Sequence, residues 1–184
     1  MIKEVELSKA YRLVNTGPTC LISAKFEGIE NAMSASWVCA LDYDKISVVI
    51  DSLAFTRLLI ERSGYFAVSI PCAKQANLVM KLGLISRHQN AAKMQNVRLF
   101  YQDGFNVPLV DGCLAWLVCK ALTNKANQSE FDLFMGEVVG AWADTRVFEE
   151  GRWKFDECEE ELRSLHYVAG GEFYTLGKKI NVKS

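Results

Sequence analysis

The residues with the clearest chemical meaning are basic. From Ser63 to Gln102 there is no Asp or Glu, yet the stretch holds Lys74, Lys81, Arg87, Lys93 and Arg98, a local charge of +5. Ser86 and Arg87 open a segment with helical character, and Lys93 lies roughly two turns further on. A hydroxyl, a guanidinium, an ammonium and the free N–H groups of a helix start are donors that can hold a phosphate. Charge-assisted bonds of this kind contribute ~1.5–3 kcal/mol each. Thr56-Arg57 opens a second predicted helix with the same combination. The same charges also fit a solvated basic face that binds nothing.

A second segment runs Asn31, Ala32, Met33, Ser34, Ala35, Ser36, Trp37, mostly small or polar residues before an aromatic. Small side chains let a flat ligand approach the backbone, whose N–H and C=O groups can meet ring heteroatoms. Ser34 and Ser36 can hydrogen-bond a polyol. The alternative is a small-residue strand packed on a neighbour, with Trp37 in the core.

Other chemistries find no support. The GxSxG, HExxH, P-loop and GxGxxG patterns do not occur. The only histidines, His88 and His166, are 78 positions apart. Cysteines stand at 20, 39, 72, 113, 119 and 158, with no CxxC spacing and no histidine near a cysteine cluster. We expect no metal site, and reduced thiols rather than disulfides. Cys39, Cys113 and Cys119 lie in apolar runs and read as core residues.

These residues must be positioned by one domain spanning 1–184. A chain of this length buries ~70% of its unfolded surface and needs no covalent staple. Half of its residues are hydrophobic and its net charge is −1, a poor match to a nucleic-acid or membrane-surface binder. The N-terminal charges exclude a signal peptide pattern, and no run is apolar enough to span a membrane. The expected location is cytoplasmic.

Strands are expected at 19–26, 31–41 and 45–50, with a turn at Glu27-Gly28. A helix capped by Thr56 and ended by Gly64 follows. Then come a strand at 65–70, a helix at 74–82 ended by Gly83, and a short helix from Ser86 to about Met94. Two later strands cover 113–122 and 133–143. Gly136 and Gly140 in the second suggest bulges or a close approach of another backbone. The tail is expected to be helical over 157–163 and irregular beyond. The fold class is mainly β, a barrel or strongly curled sheet with inserted helices, rather than a doubly wound α/β sheet.

In this order, the segments resemble the flavin reductase-like, FMN-binding split-barrel family, and its flavoredoxin-like branch in particular. The resemblance runs from about Pro18 to Gly177. It rests on Pro18-Thr-Cys-Leu-Ile22, on Asn31-Ala-Met-Ser-Ala-Ser-Trp37 as its most specific part, and on Phe55-Thr56. It continues through Phe66-Ala-Val-Ser-Ile-Pro71, an altered Ser-Gly-Arg-x-x-x-Lys motif at Ser86, Arg87 and Lys93, Gly136-Glu-Val138, and the segment from His166 to Gly177.

The resemblance implies a split β-barrel of about six strands, non-covalent FMN, and a homodimer with FMN near the interface. It implies that Asn31 to Trp37 run beside the ribityl chain and isoalloxazine. Thr56, Ser86, Arg87 and Lys93 would approach the phosphate, with Ser52 at the same strand end. It implies an oxidoreductase passing electrons from NAD(P)H or a reduced protein partner. Two departures stand out. Many family reductases carry Gly-Asp-His before the Gly-Glu-Val strand, and that His is tied to pyridine-nucleotide use. This chain has Ser129-Glu130-Phe131 there. The Ser-Gly-Arg motif has lost its glycine and gained a residue. Phe131 favours the alternative of a non-enzymatic FMN carrier, store or sensor. A barrel holding haem, with His166 as axial ligand, or holding no cofactor is the remaining reading.

Overall fold

A computed structural model describes residues 1–182. The strands are β1 (Ile2–Glu4), β2 (Cys20–Phe26), β3 (Ile29–Ala35), β4 (Val38–Asp42), β5 (Lys45–Val49), β6 (Tyr65–Ile70), β7 (Leu99–Phe100), β8 (Leu109–Val110), β9 (Ala115–Leu122), β10 (Leu133–Asp144), β11 (Phe148–Glu149), β12 (Arg152–Trp153), β13 (Leu165–Ala169) and β14 (Glu172–Thr175). The α-helices are α1 (Phe55–Ser63), α2 (Ala76–Leu84) and α3 (Lys125–Glu130).

The main sheet is antiparallel, in the order β3-β2-β6-β9-β10-β5-β4, with β1 added to the far part of β10. The two end strands, β3 and β4, are consecutive in the chain and separated only by Ser36 and Trp37. The sheet therefore curls until its ends meet at that corner, which makes a barrel with a split side. The mainly β split-barrel expectation holds.

Period-2 alternation sorts the side chains. Ile22 and Ala24 of β2, Phe66 and Val68 of β6, Leu117 and Cys119 of β9, and Phe134 of β10 point inward with Leu59 and Ile60 of α1. Leu21, Ala67, Trp116 and Val118 point outward, where Val79 and Leu82 of α2 and Val107 to Val110 cover them. The Trp116 indole donates to the Val110 carbonyl at 2.7 Å, so the buried ring is also satisfied.

Several expectations hold in detail. Glu27 and Gly28 both take positive φ, as a tight two-residue hairpin turn requires. Gly64 ends α1 at φ +73° with its N–H on the Ile60 carbonyl. The glycines of β10 mark a bulge, between Val138 and Gly140, but what approaches them closely is side chains rather than another backbone. A Cβ on Gly136 would stand 2.6 Å from Phe66 Cζ, and one on Gly140 would stand 2.5 Å from Trp142 Cη2.

Others are corrected. The 31–41 run is two strands, because the sheet turns its corner at Ser36–Trp37. Trp37 is 73% exposed there rather than core. Cys39 is exposed as well, since it lies on the outer face of edge strand β4. Cys113 and Cys119 are buried, and all six cysteines are free. Thr56 does not cap α1: Ala54 holds the cap position, and Thr56 turns inward to Asn31. Gly83 does not end the second helix but lies within α2, facing Ser34 at contact distance. Ser86 opens no helix; it closes a turn, and Asn90 caps the single 3-10 turn Ala91–Met94. The tail makes one 3-10 turn, Glu160–Leu162, followed by the β13–β14 hairpin where irregular chain was expected.

Candidate functional site

A groove of about 340 Å³ runs along the exposed edge of β3. Its walls come from β3 (Asn31, Met33, Ser34), the β5–α1 turn with the start of α1 (Asp51, Leu53, Ala54, Phe55, Thr56), the end of α2 (Leu82–Leu84), and the loop beyond with its 3-10 turn (Ile85, Ser86, Arg87, Lys93). Segments 50 residues apart in sequence meet here because β3 is the open end of the sheet. α2 packs against it, tied by Ser34 Oγ donating to the Val79 carbonyl at 2.5 Å.

The floor is cationic. Lys93 is 3% exposed, and its Nζ donates to the Leu82 carbonyl at 2.9 Å. Burial, together with the nearby Arg87 charge, pulls its pKa from 10.5 down to about 8. Arg87 donates to the Glu30 carbonyl and lies over the Phe55 ring, 5.5 Å from its centroid. Among the described residues, neither cation has a carboxylate within salt-bridge distance. The one acidic residue of the lining, Asp51, accepts from the Leu53 N–H at 2.7 Å and pairs with neither cation, so two cations without a paired carboxylate offer a site for an anion.

Arg57 behaves otherwise. Its guanidinium donates to Glu61 (2.8 Å), Asp132, the Ile50 carbonyl (3.1 Å) and the Gln128 carbonyl (2.7 Å). Burial disfavours its charge, but the Glu61 and Asp132 carboxylates outweigh that and raise its pKa. The expected Thr56-Arg57 anion pair is thus corrected: Arg57 clamps α1 to the ends of β5 and α3, and Thr56 is fully buried.

Asn31 is 1% exposed and lines the groove together with Thr56. Its Nδ2 donates to Thr56 Oγ1 at 2.8 Å, while its Oδ1 is buried with no partner. Two more buried polar atoms lack partners among the described residues, Thr16 Oγ1 and Arg163 Nε. Neither residue lines the groove.

A second cavity of about 210 Å³ adjoins the first, sharing Ser34, Gly83 and Leu84. It adds Thr19, Ser36, Val79, Met80, and Tyr167 and Phe173 from the β13–β14 hairpin. Thr19 Oγ1 holds that hairpin by accepting from the Tyr167 N–H at 2.8 Å.

The structure therefore brings together Asn31, Met33, Ser34, Thr56, Ser86, Arg87 and Lys93, with Ser36 in the second cavity. Ala32 and Ala35 turn their side chains into the two cores. Trp37 and Ser52 are exposed and line neither cavity. Sequence reading missed the aliphatic end of α2 and the aromatic hairpin. Gly83 between leucines was the one available signal, and it reads equally well as a helix end. His166 stands apart from both cavities. Its Nδ1–H donates to the Gly17 carbonyl (3.0 Å), which leaves Nε2 to accept from Ser164 Oγ (3.1 Å), and burial lowers its pKa. No group of three metal-ligating side chains occurs among the described residues.

The groove's chemistry fits a phosphorylated polyol: two cations without a carboxylate partner, a buried amide oxygen without a partner, and a second, smaller cavity adjoining at Ser34. Comparison with known proteins agrees in kind. A family described as "Flavin reductase like domain" matches residues 12–171. The uncharacterized protein YddH of Escherichia coli (strain K12) is 37% identical over 182 residues, covering 96% of this chain and 95% of that protein. The crystal structure of an FMN-binding domain of a flavin reductases-like enzyme from Shewanella baltica OS155 is 48% identical. It covers 100% of this chain and 98% of its own, with a TM-score of 0.98. Flavoredoxin of Desulfovibrio vulgaris (Miyazaki F) shares the fold, with a TM-score of 0.75, 18% identity and 90% of each chain covered.

Proposed function

The chain belongs to the flavin reductase-like family, and on that premise we propose that it binds FMN without a covalent link and works as an FMN-dependent oxidoreductase. The observation that carries this reading is the paired, counter-ion-free Arg87 and Lys93 in a groove that also presents an unpartnered amide oxygen. FMN held in this groove would supply the redox chemistry. The chain's own tasks are then binding, orientation and exclusion of water, which accounts for the absence of an acid–base triad.

Lys93 and Arg87 hold the phosphate. Ser34 fixes α2 against β3, so that the groove keeps its width. The Arg57 clamp fixes the β5–α1 turn that forms the opposite wall. A homodimer covers the split side. Exposed Trp37, beside the corner, and Leu53 and Leu84, which line the groove, are apolar surface it would bury.

The electron donor is NAD(P)H or a reduced protein. Phe131, 63% exposed where many family reductases carry His, favours the second reading of an electron carrier served by a protein partner. An anaerobic titration of the FMN-loaded protein with NADH and NADPH separates the two. Rapid bleaching supports the reductase. A flavin band that persists until a reduced redox protein is added supports the carrier. Failure to retain or bind added FMN sinks both.

A further inference from the structure

We propose that Tyr101 and Lys25 act as a latch that keeps the Glu30 carboxylate off Arg87, and so keep the cationic end of the groove available to an anion. The latch touches no ligand. Both are positioning residues, and their effect on flavin binding rests on the FMN reading.

Arg87 meets β3 by donating to the main-chain carbonyl of Glu30. The side chain of that same residue is long enough to turn back on a group held by its own backbone, which makes its carboxylate a ready competitor for the guanidinium. It is held elsewhere. Glu30 Oε1 accepts from the Tyr101 hydroxyl. Lys25, opposite Glu30 in the β2–β3 register, donates to that hydroxyl at 3.1 Å, lies 3.8 Å from Oε1, and stands over the Tyr101 ring, 4.7 Å from its centroid. The phenol therefore donates to the acid and accepts from the amine, which uses its hydroxyl both ways. Burial and the Glu30 carboxylate raise the Tyr101 pKa, so the phenol keeps the proton it donates. Tyr101 stands just past β7 and lines neither cavity. With the carboxylate drawn away, Arg87 is left with a neutral carbonyl and the face of Phe55. A partly exposed ion pair between Glu30 and Arg87 would compete with a bound anion by up to about fivefold.

The test removes both partners of the carboxylate with Lys25→Met and Tyr101→Phe together, which keeps the aromatic ring, and repeats the pair in a Glu30→Gln background. In a crystal structure of the flavin-free double variant the Glu30 carboxylate should lie on Arg87. In fluorescence titrations the double variant should bind FMN roughly three- to fivefold more weakly than the wild type. Riboflavin, which lacks the phosphate, should bind both equally. In the Glu30→Gln background the same two substitutions should change FMN affinity by less than about twofold, because the remaining charge effect is exposed and screened. A carboxylate that stays off Arg87 in the double variant overturns the proposal. So does a loss that is equal for FMN and riboflavin, or one that persists in the Glu30→Gln background. A carboxylate that turns to Arg87 in a protein whose wild type binds no flavin leaves the latch standing and overturns the FMN reading instead.

Discussion

Lys93 makes FMN binding depend on pH in a direction that distinguishes it from other lysines. Its ammonium is buried with a single carbonyl partner and Arg87 nearby, and its pKa in the free protein falls to about 8. FMN phosphate loses its second proton near pH ~6 and stays a dianion above that. Between pH 7 and 9.5 the changing partner is therefore Lys93. If the dianion needs the ammonium, affinity drops about tenfold per pH unit above 8, reaching roughly thirtyfold below its neutral value at pH 9.5. Stability of the flavin-free protein moves the other way. In the unfolded chain Lys93 titrates near ~10.4. From about pH 8 to that value the unfolded state binds more protons, so folding strengthens as pH rises. The burial penalty is fully present below pH 8 and is of order 3 kcal/mol. Fluorescence titrations with FMN, and urea unfolding without it, over pH 7–9.5 check both slopes. Lys93→Met should lower neutral affinity by roughly 10–150-fold and flatten both profiles. An FMN affinity that stays flat in the wild type, or a slope that survives in Lys93→Met, refutes the reasoning.

Gly136→Ala places a methyl 2.6 Å from Phe66 Cζ and 2.9 Å from Cys119 Cβ; it should destabilise the barrel by ~1–3 kcal/mol, and an unchanged urea midpoint would contradict this close packing. Arg57→Met leaves Asp132 and two carbonyls without their donor. It should cost ~2–4 kcal/mol in unfolding experiments and loosen FMN by moving the β5–α1 turn, whereas a merely exposed ion pair would cost under ~1 kcal/mol. Phe131→His, which restores the imidazole many family reductases carry, should speed flavin reduction by NADH or NADPH in stopped flow; no change would mean that this position does not govern donor choice.

What the sequence made legible follows from which forces are local. The near-continuous apolar runs in 20–26, 45–50 and 65–70 are a local record of a sheet with two covered faces, and those strands lie where expected. Gly64 and Glu27-Gly28 are local backbone demands and were equally readable. The corner at Ser36–Trp37 was not. Nothing in a run of small residues says that the sheet's two ends meet there, so Trp37 read as core. Thr56 at a helix start reads as a cap, because a capping hydroxyl and an inward-turned one have the same sequence signature. Its engagement with Asn31, 25 residues away, exists only after folding. The acid-free stretch told more. It pointed to the segment whose Arg87 and Lys93 line the groove, although Lys74 and Arg98 in the same stretch pair with Glu161 and Asp111 instead. Charge counts locate a basic region; only the fold decides which charges remain unpaired.

That selection has an energetic consequence linking the groove to the stability of the whole chain. Burying the Lys93 ammonium without a counter-ion opposes folding, and so does leaving Asn31 Oδ1 unmatched. Both penalties exist in the flavin-free state, and on the proposed reading a bound phosphate would relieve the first. The strain is placed where three separately folded segments converge: β3, the start of α1 and the loop after α2. Ser34 bonds β3 to α2 and Arg87 bonds the loop after α2 to β3, while Arg57 ties the start of α1 to the end of β5. A ligand that satisfies the floor therefore also cross-links the walls. Stabilisation by a ligand grows as RT ln(1 + [L]/Kd), about 2.7 kcal/mol at a hundredfold excess over Kd. On the proposed reading, FMN would complete this groove, and the cost of burying Lys93 in the flavin-free chain would return as part of that stabilisation.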